Sequence, residues 1–161
     1  MTARKPSDAF TGQWRGIGFL LCMRGRRPIP ECLGCLGLKR QGYVVAICSN
    51  AKEDELEDVL GTLAIREYFD YIQGLTHKED KADSLGVLMD RTGADWCCMV
   101  GDRFYDREAA MANQAGFIGC RYGYGNEEEF GDGDLMAEDC REIPFLLERL
   151  AAGSVFCKYN L

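Results

Sequence analysis

The sequence predicts an α/β fold, a parallel sheet with helices on both faces, and three observations predict it. Short valine- and isoleucine-rich runs recur along the chain, bounded by glycine, aspartate or serine. Segments with apolar residues at helical spacing lie between them. The connections are short, so successive strands must cross over through the intervening helices and run parallel. The length, 161 residues with 47% apolar content, suits one domain with its own core. We expect a single domain over residues 1–161, with residues 1–15 as a peripheral arm.

The elements follow in order. Residues 16–23, GIGFLLCM, form the only apolar run before residue 42 and supply the first strand, and residues 30–41 look helical, with Pro30 near the start. Residues 43–49, YVVAICS, read as a buried strand. The helix expected over residues 52–64 puts Leu56, Val59, Leu60 and Leu63 on one face. A short strand covers residues 69–72, and a helix over residues 81–91 turns Ala82, Leu85, Leu88 and Met89 inward. Residues 96–100 form another buried strand, stopped by Gly101-Asp102. An alanine-rich helix spans residues 106–115 and ends at Gly116. A strand follows over residues 117–122, and Pro144 opens a last helix running to about residue 152.

Composition removes several function classes. Nothing approaches 18 consecutive apolar residues, so no membrane span is expected. The first residues, MTARKPSDAF, are not followed by a signal-peptide core. Nine cysteines at irregular spacing do not read as a secreted disulfide framework. Cys48, Cys97, Cys98 and Cys120 fall in apolar runs, where free cysteine behaves as a small hydrophobe. The lone CxxC, Cys32 and Cys35, reads as two cysteines on the buried side of a helix. A metal or redox role would need Cys22 or the one histidine, His77. A cytoplasmic protein is the expectation. Charge is uneven. Residues 1–40 carry eight lysines and arginines against Asp8 and Glu31, a balance of +6 that leaves −13 for residues 41–161. Such an arm could meet an acidic partner, but we expect it to lie on its own acidic domain, and nucleic acid is not an expected partner.

Three features fall where open α/β sheets bind ligands, at the carboxyl ends of strands. They are Ser49-Asn50, Lys81 opening a helix, and the GDxxxD of Gly101-Asp102-Arg103-Phe104-Tyr105-Asp106. Singly, Ser49 reads as a turn residue, Lys81 as a solvated lysine, and Asp102 and Asp106 as first-turn acids favoured by the helix dipole. Together, in this order, they point to phosphoryl chemistry, which needs an in-line nucleophile, a divalent metal and cationic or hydrogen-bonding clamps on the oxygens.

Across residues 28–150 the chain resembles the haloacid dehalogenase (HAD) superfamily of phosphohydrolases. AICSN is similar to the second motif of that family, EDKADSL to the third and VGDRFYD to the fourth. FIGCRYGYGNEEEF resembles the phosphoglycolate-phosphatase-like branch. The resemblance implies a three-layer, Rossmann-like core. It implies that the Ser49 hydroxyl and the Asn50 N–H hold phosphoryl oxygens, and that Lys81 neutralises charge. It also implies Mg²⁺ as cofactor, with Asp102 as ligand and Asp106 supporting the metal shell.

Two parts of the family pattern are absent from the sequence. The first motif, DxDx(T/V), supplies the nucleophile and the acid/base at the end of the first strand. Asp8 is the only aspartate before residue 54; it lacks a preceding apolar strand, and Phe10 stands at the second carboxylate position. If residues 16–23 form the first strand, the DxD positions fall near Met23-Arg24-Gly25-Arg26, where Arg24 and Arg26 could clamp phosphate. Nor is there room for a cap domain, with about twenty residues between Met23 and Tyr43 and about thirty between Asn50 and Lys81. The leading expectation is therefore a capless, catalytically degenerate HAD-like protein that keeps an anion pocket. An active Mg²⁺-dependent phosphomonoester hydrolase, its first carboxylate from Asp8 or another chain, is the alternative. An interaction module using the basic N-terminal segment is the second. An open site suits a phosphorylated macromolecule, or a phosphorylated small molecule covered by a neighbouring subunit of a homo-oligomer.

Overall fold

The computed structural model describes residues 17–19, 23–24, 27–28, 37–94 and 96–158. Asp8, Arg26, the arm at 1–15 and the CxxC pair lie outside the described residues, as do residues 30–36 of the expected helix; residues 37–41 form 3-10 turns.

Among the described residues, six strands form one parallel sheet: β1 (Ile17–Phe19), β4 (Val45–Cys48), β5 (Tyr71–Gln73), β6 (Cys98–Gly101), β7 (Gly116–Cys120) and β8 (Leu135–Ala137). Their order is β5-β4-β1-β6-β7-β8. β1 lies at the centre, with Ile17 opposite both Val45 and Cys98. An apolar run without alternation is what a strand covered on both faces requires, and all four residues of β4 and of β6 are buried.

Side-chain alternation then divides the core in two. Val45 and Ile47 of β4, Cys98 and Val100 of β6, and Ile118 and Cys120 of β7 face one layer. There they meet Leu60 of α1 (Glu53–Thr62) and Ile143, Leu146 and Leu147 of α4 (Ile143–Lys158). Ala46, Cys48, Met99 and Phe117 face the other layer, against Leu85 and Leu88 of α2 (Lys81–Thr92) and Ala109 and Ala110 of α3 (Phe104–Ala112). Each fully buried leucine, isoleucine or valine contributes about 1.5–3 kcal/mol. The alanines allow α3 to approach the sheet closely.

Local chemistry sets the helix ends that bear on the site. Asp80 caps α2 by accepting the Ala82 N–H at 2.9 Å. Gly93 closes the helix in the left-handed region, with φ at 61°. Pro144 stands in the first turn of α4, where its missing N–H costs nothing.

The structure corrects several expectations. The first strand is shorter than residues 16–23. Met23–Arg24 (β2) instead pairs antiparallel with Arg27–Pro28 (β3), Met23 opposite Pro28, and Arg24 sits in β2. Of the expected DxD-equivalent positions, Met23 and Arg24 lie in this two-stranded ribbon, and Gly25 and Arg26 lie outside the described residues. Val59 is 50% exposed, because the inward face of α1 is carried by Leu56, Leu60 and Leu63. The edge strand β8 was not anticipated, since three residues give too short a pattern to read.

Candidate active site

The ends of β4 and β6 and the start of α2 converge on one sheet edge. β4 stops at Cys48, and Ser49 continues its ladder by donating its N–H to the Gln73 carbonyl at 3.0 Å. The Ser49 Oγ accepts the Ala51 N–H at 3.3 Å, which tightens the turn. A serine hydroxyl that accepts can still donate. Asn50 is exposed beside it.

Lys81 opens α2 and is held there by more than its neighbour's cap. The Ser84 hydroxyl donates to the Asp80 carbonyl at 3.0 Å and accepts the Thr76 N–H at 3.2 Å, so the approach to the helix is pinned to its first turn. The Lys81 side chain is 9% exposed, and its Nζ lies 2.5 Å from Oδ1 of Asp106, which is 1% exposed. That oxygen makes no directed hydrogen bond; the ammonium is its partner, off the ideal line. Oδ2 of Asp106 accepts two backbone N–H groups, from Asp102 and Arg103, each at 3.1 Å. Both oxygens are therefore committed: Asp106 ties α2 to the β6–α3 turn and caps α3 from within. A side chain at Gly101 would place its Cβ 2.3 Å from this carboxylate, so only glycine fits there.

Asp102 follows β6 and is 4% exposed. Its Oδ2 accepts the Tyr124 N–H at 2.6 Å. The loop providing that N–H lies against the aspartate so closely that a Cβ at Gly123 would fall 2.1 Å from the Asp102 Cβ, and one at Gly125 would fall 1.8 Å from its carbonyl oxygen. Glu129 fastens the same loop. Its Oε2 accepts the Phe104 N–H at 2.9 Å and the Arg103 Nε–H at 3.0 Å, while Oε1 accepts the Asn126 N–H at 3.2 Å. The Phe104 N–H, aided by the Arg103 guanidinium, holds the Glu129 carboxyl below the ordinary range. No role was assigned to Glu129 from the sequence, and this latch was missed. Only its local half had a signal in the sequence, an Asn followed three residues later by Glu, the spacing of a capping box.

Cys48 is the nearest potential nucleophile on β4. Burial pushes its thiol up to about 12, against a lowering influence from Lys81 and a raising one from Asp106. It remains a neutral thiol at physiological pH and cannot serve as an attacking thiolate.

The structure thus brings Lys81 and Asp106 into direct contact, sets Asp102 one hydrogen bond from Asp106, and places Ser49 and Asn50 at the end of β4. The charge of Lys81 reaches Cys48, the residue before Ser49. β1 runs between the strands that deliver Ser49 and Asp102, and Phe19 pairs with Val100, two residues before Asp102.

Residues 28–120 match the family described as haloacid dehalogenase-like hydrolase. The chain belongs to that family. It is 30% identical over 109 residues to a 5'-nucleotidase of Pseudomonas aeruginosa, a match that covers 63% of this chain and 47% of that protein. The chain thus spans about half the length of the curated relative it matches. Among solved structures, a haloacid dehalogenase-like hydrolase from Streptococcus pneumoniae aligns with a TM-score of 0.70 at 18% identity, over 75% of this chain and 60% of that one. A "predicted phosphoglycolate phosphatase" from Haemophilus somnus aligns with a TM-score of 0.64 at 22% identity, over 75% of this chain and 57% of that one. These likenesses establish the HAD fold.

The family implies magnesium, so the donors matter. Mg²⁺ takes hard oxygen ligands in octahedral array, commonly one or two carboxylates with waters and substrate phosphate. Among the described residues no group of three or more His, Cys, Asp or Glu could hold a metal. Asp106 has both oxygens engaged, one of them by an ammonium whose charge opposes a cation. Asp102 alone remains, with one oxygen on Tyr124 N–H. The described residues do not by themselves fit a resident magnesium ion.

Proposed function

We propose that this HAD-family chain binds the phosphoryl oxyanion of a phosphorylated ligand at Ser49, Asn50 and Lys81 without hydrolysing it. The observation that supports this most is the central strand. β1 is paired on both sides, between β4 and β6, and the sequence from residue 9 to residue 30 contains no aspartate or glutamate. In its place that stretch carries Arg15, Arg24, Arg26 and Arg27. A phosphatase of this family attacks with a carboxylate at the end of that strand, and the Cys48 thiol, held neutral, cannot replace it.

Binding needs less. An ammonium has three donor hydrogens, so Lys81 can keep Asp106 and still reach an incoming oxygen. Partial burial strengthens that attraction relative to water. Ser49 contributes a hydroxyl donor, and Asn50 a backbone N–H at the strand end. Calorimetric titration with inorganic phosphate tests the reading: we expect saturable binding, weakened at least tenfold in Lys81→Met. Steady release of phosphate from a phosphomonoester in Mg²⁺, lost in Asp102→Ala, would overturn it.

One observation favours a second reading. The 30% identical relative is named a 5'-nucleotidase, so a working phosphomonoesterase on nucleoside 5'-monophosphates, with its first carboxylate from Asp8 or another chain, is the reading such turnover would establish.

A further inference from the structure

Lys81 and Ala82, neighbours at the start of α2, are both bonded to α3, and at opposite ends of it. The Lys81 Nζ meets Oδ1 of Asp106, in the first turn of α3, at 2.5 Å. The Ala82 carbonyl accepts a side-chain N–H of Asn113 at 2.8 Å, and Asn113 is the residue that closes α3. Asp106 and Asn113 stand about 10 Å apart along the helix, at 1.5 Å of rise per residue. One turn of α2 is therefore fixed at two points that span most of α3. Nothing in the anion-binding reading uses the second of them.

The Asn113 amide is itself held. Its Nδ2 also donates to the Ala109 carbonyl at 2.9 Å, one turn back in α3, and two carbonyl partners leave the amide one orientation that bonds. Its Oδ1 faces Gly86 of α2, where a Cβ would come within 3.0 Å. Glycine is unfavourable in a helix interior; at 86 its missing side chain lets the amide lie against α2. The Ala82 carbonyl has two lone pairs, so it takes the amide in addition to its place in the helix. Leu85 and Leu88 press α2 onto the sheet, but apolar burial has no direction and does not fix how far a helix slides. Ser84 and Arg91 bond α2 to the β5 side, to the Thr76 N–H and the Ile72 carbonyl. Toward α3 the directed bonds, among the described residues, are those of Asp106 and Asn113.

We propose that Asn113 is a positioning residue for the anion site: by fixing α2 along α3 it sets where the Lys81 ammonium stands, and so how tightly that ammonium holds a phosphoryl oxygen. Asn113 acts through Lys81 and not on the ligand. The proposal rests on the anion-binding reading for its ligand, while the placement of the ammonium can be read without one.

Asn113→Leu keeps the bulk and removes the donor. Calorimetric titration of the full chain with inorganic phosphate should show affinity lowered about threefold or more, the worth of one hydrogen bond. Added to Lys81→Met, the same substitution should cause no further loss. The NMR signal of the Lys81 ammonium nitrogen, assigned by its absence in Lys81→Met, reads the placement directly and should shift in Asn113→Leu. Gly93→Ala strains the left-handed close of α2 at its far end; it should lower stability and leave both the signal and the affinity unchanged. Gly86→Ala presses on the Asn113 Oδ1 and should move both in the direction of Asn113→Leu, by less, and it should add nothing once Asn113→Ala is present. Should Asn113→Leu not fold, Gly86→Ala decides by the same two readouts. An unmoved ammonium signal or an unchanged phosphate affinity in the folded variant would overturn the proposal, and so would equal changes in Gly93→Ala. Failure of inorganic phosphate to bind the unaltered chain would overturn the anion site and the role of Asn113 in binding, whereas an unmoved signal in a chain that does bind phosphate overturns the positioning alone.

Discussion

The two central strands of the sheet, β1 and β6, equip their surroundings very differently. After β6 the polar groups are tightly accounted for. Asp106 divides its oxygens between Lys81 and two backbone N–H groups, Asp102 takes the Tyr124 N–H, and Glu129 holds the loop across both. β1 is described over three residues, and the sequence from residue 9 to residue 30 brings arginines and no acid. The difference shows that the charged residues after β6 have structural partners of their own. Lys81 and Asp106 neutralise each other in the interior, and Asp106 also caps α3, so the fold itself has a use for them.

The sharpest way to break that comparison is to break the buried pair. Lys81→Met leaves the Asp106 carboxylate inside the protein with no counter-ion, which costs about 3–5 kcal/mol. The urea midpoint at neutral pH should fall accordingly. Lys81→Met combined with Asp106→Asn should cost less than the two separate losses added, because the pair acts as a unit. A loss below about 1 kcal/mol for Lys81→Met, the value of a surface pair, would show that the β6 side is no better knit than the surface.

A smaller effect separates glycines that the site requires from those it does not. In Gly125→Ala the new methyl would meet the Asp102 carbonyl at 1.8 Å, so the loop must retreat. Overpacking of this sort costs about 1–3 kcal/mol, and the displaced loop should weaken phosphate binding as well. Gly61→Ala in α1 meets nothing within 4 Å. It should stabilise the chain by up to about 0.5 kcal/mol, since alanine is favoured over glycine in a helix and Gly61 stands in the last turn of α1. Thermal unfolding of the two variants, expected to shift in opposite directions, checks both.

Much of this arrangement was legible in the sequence. Continuous apolar runs marked β4 and β6 because both faces of a parallel sheet are covered; Ser49 and the GDxxxD stood out because polar residues end those runs abruptly, and Lys81 because it opens a helix. What escaped was of another kind. The Glu129 latch bonds to Arg103 and Phe104, some twenty-five residues earlier in the chain, and no local pattern announces a contact at that distance. The requirement for glycine at 123 and 125 depends equally on how near the loop comes to Asp102. The extent of β1 was misjudged because an apolar run does not show where its pairing stops: GIGFLLCM continues past Phe19 with the same residue types, yet Met23 already belongs to the hairpin.

The Glu129 latch gives the finest test, because its strength should depend on pH in a direction set by chemistry. Hydrogen bonds from Phe104 and Arg103 hold its carboxyl below the ordinary value, so the folded state releases the proton more readily than the unfolded one. The stability it adds is fully present above the unfolded-state value, about 4.3, and is lost as the pH falls through the lower folded-state value. Glu129→Gln cannot ionise and should lack this component. The urea midpoints of the parent and the variant should differ by a constant amount near neutrality and converge in acid. A difference that stays the same from neutral pH down to the lowest pH at which the chain folds would mean that the carboxylate charge adds nothing to the latch, and that the loop beside Asp102 is held by close packing alone.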